Sequence, residues 1–241
     1  MSNMYDWVGI TVNPLAGRCP HECDYCYVDD MKKVYPNMDE KYSGDIRVDL
    51  RTIDKKLNIP EPKTIFLCSC NDLFAVGVTD HEIEMILEKC RLYPQHTYVL
   101  QTKNPDRFLH IPIEWYPKKC ILGTTIESNR DYYLVSYAPN MTERFIAIRS
   151  VGAKMDGWLP DSDIKTMITI EPIMDFDEKQ FTKMLLTSGV DFINIGADSK
   201  NHRLSEPDPR TLERLIARLK AEGDFEVKIK KNLGRLLQDT L

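Results

Sequence analysis

The sequence predicts an α/β protein built as a partial or full parallel (β/α) barrel of about six strands. Two observations carry this. Short, β-rich apolar runs alternate with stretches of helical period along most of the chain, and such strand–helix alternation marks parallel βαβ units. Right-handed crossovers repeated in one sheet then curl it toward a barrel, with a doubly wound open sheet as the competing arrangement. The 241 residues, 42% hydrophobic, suffice for one large core, so a single domain over 1–241 is expected, with an irregular excursion at 28–60.

Val8 to Val12 is the first expected strand and leads into a cysteine-rich loop. Thr64 to Cys70 is the second. Asp80 to Leu92 follows as a helix: Ile83, Ile86, Leu87 and Cys90 recur at helical spacing, and Asp80 and Glu82 suit its N-terminal end. Thr97 to Thr102 is the third strand, and Asn104-Pro105 fits a cap and first position of a short helix. Ile121 to Ile126 is the fourth strand, with a helix over Glu143 to Arg149 after it. Met167 to Ile170 is the fifth, followed by an amphipathic helix over Glu178 to Thr187. Phe192 to Ile195 is the sixth. Asp208-Pro209 opens a long helix through Lys220, with Leu212, Leu215, Ile216 and Leu219 on one face. Val227 to Ile229 fits a seventh strand. Tyr27 to Leu57, with Tyr35-Pro36 and Ser43-Gly44, is the least regular stretch.

Composition narrows the class. A formal charge of −5 leaves no electrostatic footprint for a phosphate backbone, so nucleic acid is a possible but not a favoured partner. No run of about 18 apolar residues predicts a membrane span. Met1 to Thr11 carries Asp6 and no apolar signal core. Seven cysteines without a secretory signal suggest reduced thiols and a cytoplasmic location.

Parallel barrels place functional groups at the C-terminal ends of their strands. Here those ends read Ser69-Cys70-Asn71-Asp72, Gln101-Thr102-Lys103, Thr125-Ile126-Glu127-Ser128, Ile170-Glu171-Pro172, Gly196-Ala197-Asp198-Ser199 and Ile229-Lys230-Lys231. Polar loop starts are ordinary singly; as a set, they define a candidate rim. Cys68 and Cys70, two apart on an expected strand, should share a face, either as small buried apolar groups or with Cys70 at the barrel mouth.

The first loop carries the sharpest signal. Cys19, Cys23 and Cys26 are separated by three and two residues. Three thiolates this close cannot all pair as disulfides and repel one another unless a cation neutralises them. They are one short of the four that usually surround an iron–sulfur cluster, which leaves one iron open. Zinc is an alternative through Cys19, His21, Cys23 and Cys26, although four donors within eight residues are cramped for a closed tetrahedron. A redox Cys-x-x-Cys pair at Cys23 and Cys26 would leave Cys19 without a role.

The Cys-x3-Cys-x2-Cys spacing, with aromatic Tyr25 before the third cysteine, resembles the signature of the radical SAM superfamily. Ser69 to Phe74, Gln101 to Pro105, Gly123 to Asn129, Ile170-Glu171-Pro172 and Gly196 to Ser199 further resemble strand-end motifs of an uncharacterised, phage-associated branch of it. Glu127-Ser128-Asn129 departs from that branch by one inserted residue, and Ala197-Asp198 stands where a Gly-Glu is expected.

The resemblance implies a radical SAM type of barrel, oxygen sensitivity and a [4Fe–4S] cluster on Cys19, Cys23 and Cys26. The open iron would chelate S-adenosylmethionine, whose reductive cleavage gives a 5′-deoxyadenosyl radical that takes hydrogen from a substrate. It also implies an electron donor such as flavodoxin or ferredoxin. Tyr25, Ser69, Asp72, Lys103, Thr125 and Glu127 would bind the cofactor: Tyr25 beside the adenine, Ser69 or Asp72 at the amino group, Lys103 at the carboxylate, Thr125 and Glu127 at the ribose. Cys70, as a hydrogen-atom donor by analogy with spore photoproduct lyase, Glu171 and Asp198 are the catalytic candidates. Arg149, His202 and Lys230 are weaker candidates for the substrate rim. The expected substrate is a small molecule or nucleotide. A non-catalytic iron–sulfur or zinc-binding interaction module is the alternative.

Overall fold

The computed structural model describes residues 4–51, 53–132, 135–155 and 161–237. β1 (Ile10–Val12) starts the main sheet. A short antiparallel pair follows, β2 (Leu15–Ala16) and β3 (Arg47–Val48), with helices α1 (Tyr27–Val34), α2 (Pro36–Tyr42) and α3 (Ile53–Leu57), so the departure from the main sheet begins ahead of residue 28. The chain then alternates β4 (Thr64–Leu67), α4 (Asp80–Arg91), β5 (Thr97–Thr102), β6 (Lys119–Thr125), α5 (Met141–Met155), β7 (Asp163–Ile170), α6 (Glu178–Leu186), β8 (Phe192–Ile195), α7 (Pro209–Glu222) and β9 (Glu226–Ile229). A short α8 (Gly234–Leu237) ends the described chain.

β1 and β4 to β9 form one parallel sheet and lie side by side in chain order. A doubly wound sheet reverses its strand order at a switch point. This sheet never reverses, so right-handed crossovers leave their helices on one face and the other face curls inward. No pair joins β9 to β1 among the described residues, so the barrel is partial. Seven strands are present where about six are expected. None of the described helices is long and apolar enough to cross a membrane.

Each face has its own core. Toward the helices, Ile65, Leu67, Tyr98, Leu100, Leu122, Ile168, Ile193 and Ile195 pack in one large apolar cluster. The alternate residues Phe66, Val99, Ile121, Met167 and Phe192 form an apolar row on the inner face. Gly123 makes room for it, since a Cβ there would lie 2.5 Å from the Met167 methyl carbon. The row is closed by the N-terminal segment, which the sequence pattern does not reveal. Tyr5 stacks on Trp7 with centroids 4.9 Å apart, and Trp7 meets Phe192 edge-on. One layer above, the inner face turns polar. The Tyr5 hydroxyl lies 2.6 Å from Gln101 Oε1, to which it donates, and 2.7 Å from Thr169 Oγ1, while the Trp7 indole N–H donates to Asn194 Oδ1. The barrel is therefore plugged below, and its polar residues are left for the C-terminal rim.

Two local differences have physical causes. The second strand ends at Leu67, because Cys68 adopts φ 57°. This breaks the alternation and overturns the expectation that Cys68 and Cys70 share a face: Cys68 is buried in the helix-side core, and Cys70 is half-buried at the rim. The short helix after Asn104 is a 3₁₀ turn (Pro105–Leu109), and the Asn104 amide donates to the Phe74 carbonyl instead of capping it.

The Tyr5 hydroxyl holds one buried polar side chain, Thr169, and one half-buried one, Gln101. Tyr5→Phe is expected to lower unfolding stability by about 1–3 kcal/mol, read from denaturant midpoints; an unchanged midpoint would mean that the plug is held by apolar contact alone.

Candidate active site

The cysteine loop follows β2 and reaches residues at the C-terminal ends of β4 and β5. Its central His21 is only 3% exposed and donates through Nε2 to Asp72 Oδ2 at 2.8 Å. The same oxygen accepts the Thr102 hydroxyl at 2.9 Å and the Lys103 backbone N–H at 2.8 Å, and Asp72 Oδ1 accepts the Phe74 N–H at 2.9 Å. Burial opposes the charge on Asp72, but His21 and these further donors hold its pKa below the usual carboxylate value. A second brace comes from the β6–α5 loop: Asp24 N–H donates to the Val135 carbonyl at 3.0 Å and Tyr137 N–H to the His21 carbonyl at 2.8 Å. The Ser136 hydroxyl lies 3.2 Å from Cys23 Sγ.

Cys19, Cys23 and Cys26 are free thiols, all half-buried. Burial and the charges of Asp72, Cys23 and Cys26 push the Cys19 thiol well up, and burial also raises Cys26. Cys19 and Cys26 are thus held as neutral thiols unless a cation lies beside them, and the donor set suits a metal centre.

Facing this loop is a buried charge cluster. Glu127, just beyond β6, accepts on Oε1 from the Tyr25 hydroxyl and from Lys103 Nζ, and pairs through Oε2 with Arg144 Nη1 at 2.9 Å. Burial would raise the Glu127 carboxyl, but the Arg144 and Lys103 charges with both hydrogen bonds hold it far below the usual range. Burial and the Glu127 charge push the Tyr25 phenol well up, so it acts as a neutral donor. Thr125 is buried, accepting from the Gln101 amide at 3.1 Å.

On the other side, Cys70 sits among Asn13, Ser69 and Tyr27. Tyr27 donates to the Ser69 carbonyl at 2.7 Å and lies 3.5 Å from Cys70 Sγ. Asn13 Oδ1 accepts from the Ser69 hydroxyl and the Cys70 N–H, both at 3.2 Å. Across the rim, Glu171 accepts from Lys230 Nζ at 2.5 Å and the Asn232 amide at 2.8 Å. Asp198 Oδ1 meets His202 Nδ1 at 2.6 Å, and His202 Nε2 reaches Asp30 Oδ2 on α1 at 3.1 Å. An open cleft of ≈ 550 Å³ lies here, lined by Asp198, Ser199, Lys200, Lys231 and Arg235 among others.

The strand-end reading thus brings Tyr25, Lys103 and Glu127 into contact, and Glu171 with Lys230. Asp72, expected at the cofactor amino group, is instead engaged by four donors within the protein. Arg149 is exposed on α5, over the Phe145 ring, and is not among the residues that meet Glu127. Arg144, one turn earlier and 7% exposed, is the arginine of the site. Its signal was a charge on the helix face of Met141, Ile148 and Val151, all buried.

The chain matches, over residues 2–199, the family described as a protein of unknown function, DUF5131, and belongs to it. No curated protein matches. Among solved structures, the fold is similar to spore photoproduct lyase with bound AdoMet and dinucleoside spore photoproduct: TM-score 0.56, 16% identity, covering 86% of this chain and 60% of that one. A lyase complex with the dinucleoside alone gives 0.62 at 15% identity, covering 90% and 76%. SuiB from Streptococcus suis, bound to the precursor peptide SuiA, gives 0.52 at 7% identity, covering 92% and 48%. The chain therefore spans less than two thirds of the first lyase structure and about half of SuiB. These neighbours are radical SAM enzymes, and the partial barrel is of their type.

His202 ties the β8 loop to α1, and its charge sets the pH window. Burial opposes the imidazolium, but Asp198 and Asp30 outweigh it and raise the pKa above 6.5. Its contribution is complete below about pH 6.5 and is lost as pH rises through the raised folded value. Both aspartates are shifted down, Asp30 by Lys33 and His202, and Asp198 by backbone N–H groups and His202 against burial, so their contributions fade only in acid. The stability gap between wild type and His202→Gln should therefore be widest between about pH 4 and 6.5 and shrink above. A gap independent of pH would mean that the imidazole bridges as a neutral ring.

Proposed function

We propose that this chain is a radical SAM enzyme acting on a small molecule or nucleotide. The observation that carries the reading is the placement of Cys19, Cys23 and Cys26 on a braced loop at the C-terminal rim, whose own Tyr25 meets Lys103 and Glu127. Among the described residues, no three His, Cys, Asp or Glu side chains converge on a single metal ion; cysteines of a multi-iron cluster need not converge, since each binds its own iron. A [4Fe–4S] cluster with bound S-adenosylmethionine supplies one-electron cleavage to a 5′-deoxyadenosyl radical, which takes hydrogen from the substrate.

The chain's own residues bind and orient. Cys19, Cys23 and Cys26 hold the cluster. Glu127, kept ionised, accepts from the ribose hydroxyls, with Thr125 beneath it. Lys103 serves the amino-acid carboxylate. Tyr25 anchors Glu127 through its hydroxyl while its ring packs beside the adenine. Ser69 is the candidate for the amino group, since Asp72 is engaged in bracing the loop. Glu171, paired with Lys230, and Asp198, beside the open cleft, face the substrate. Cys70, with Tyr27 beside it, would give its S–H hydrogen atom to a carbon-centred product radical, leaving a thiyl radical that one electron from the flavodoxin or ferredoxin donor and one proton return to the thiol. The dinucleoside bound by the lyase supports a nucleotide, and the strand-end motifs support the phage-associated branch. A flavodoxin or ferredoxin serves as electron donor, in the cytoplasm, with all of 1–241 as one domain.

Anaerobically reconstituted, reduced protein should release 5′-deoxyadenosine from S-adenosylmethionine, and Cys→Ala at position 19, 23 or 26 should abolish both cluster and release. A fully clustered, reduced sample without cleavage would favour a non-catalytic metal module. Cys70→Ala should keep cofactor cleavage and alter the products formed from the substrate. Identical products would remove Cys70 from the chemistry.

A further inference from the structure

The charge cluster holds one cation more than cofactor contact uses. Arg144 occupies an apolar register of α5, beside buried Met141, Ile148 and Val151, where a guanidinium is costly to desolvate. Nη1 finds the Thr125 carbonyl at 2.5 Å and Glu127 Oε2 at 2.9 Å, while the buried Nε has no partner among the described residues. Lys103, Glu127 and Arg144 side chains are 14%, 10% and 9% exposed. Two cations, Lys103 and Arg144, share the one carboxylate of Glu127 in a site with little solvent.

The two cations are held differently. Arg144 is fixed by a helix and by two acceptors on different groups. Lys103 is a flexible stem whose ammonium meets Glu127 Oε1 and the Tyr25 hydroxyl. If Lys103 were the sole counter-ion of Glu127, moving it would strand a buried carboxylate, which is strongly destabilising. With Arg144 on the opposite oxygen, Lys103 is free to move.

We propose that Arg144 is a positioning residue that keeps Glu127 fixed as the ribose acceptor and so releases Lys103 to pair with the cofactor's amino-acid carboxylate. This rests on the radical SAM reading above. Arg144 touches neither ligand group itself; it acts through Glu127 and Lys103.

The test is equilibrium binding to the anaerobically reconstituted, unreduced holoenzyme. It compares S-adenosylhomocysteine, which carries the carboxylate, with 5′-methylthioadenosine, which lacks it. Arg144→Met should reduce the affinity ratio of the two by about tenfold or more, as expected when one member of a buried charge pair is removed, and should leave methylthioadenosine binding within about threefold, because Lys103 then holds Glu127. Adding Glu127→Gln to Arg144→Met should restore the ratio, since Lys103 is no longer tethered. A merely structural or long-range role for Arg144 predicts no such rescue, and its absence overturns the proposal. If the Met variant does not fold, Glu127→Gln alone serves: it should raise the ratio, and an unchanged ratio overturns the tether. Wild type binding neither nucleoside overturns the radical SAM reading and this inference together. Wild type binding both, with an Arg144→Met ratio equal to its own, overturns this inference alone.

Discussion

One buried carboxylate, Asp72, decides where the cysteine loop lies. It joins four donors from three segments: the imidazole of His21 in the loop, the backbone of Phe74 after β4, and Thr102 with the Lys103 amide at the end of β5. A carboxylate taken out of water needs that many donors. Because the Lys103 amide is one of them, the group that orients the cysteines also fixes the start of the lysine side chain aimed at Glu127. The thiols and the charge cluster are thereby set from a common point.

The sheet supplies the rest of the geometry. Strands in chain order deliver successive strand ends along one arc, so Cys70, Lys103, Glu127, Glu171 and Asp198 line a continuous rim. Below the rim, the Tyr5–Trp7 segment fills the inner face and uses the hydroxyl, amide and threonine groups there. The polar groups left with exchangeable partners are those at the mouth. The charge pairing there differs around the arc: Glu171 pairs with Lys230, whereas two cations, Lys103 and Arg144, converge on Glu127. A ligand with an anionic end is accommodated more readily at the second than at the first.

Much of the fold was legible because each βα unit carries its own period. The third and sixth strands match residue for residue, and the helix from Asp80 has a full capping box through Thr79 and Glu82. Strand-end residues were legible because a parallel barrel has only one functional rim. What was hidden depends on contacts distant in sequence. The plug at Tyr5 has no period of its own. The turn at Cys68 depends on a backbone angle that the apolar run conceals. Arg144 and Arg149 sit five apart on one helix, and the register shared with Met141, Ile148 and Val151 marks the inward one only once the helix is known to start at Met141. His21 entered the sequence reading only as a donor for zinc, because its partner Asp72 lies 51 positions away.

The central claim is that the three cysteines hold a cluster with one iron open to S-adenosylmethionine. Electron paramagnetic resonance of the reduced, reconstituted protein tests it directly, by comparing spectra with and without the cofactor. A reduced [4Fe–4S] signal whose g values change when S-adenosylmethionine is added is the predicted result. A spectrum indifferent to the cofactor, or a protein that binds zinc tightly and takes up no iron and sulfide, would contradict it.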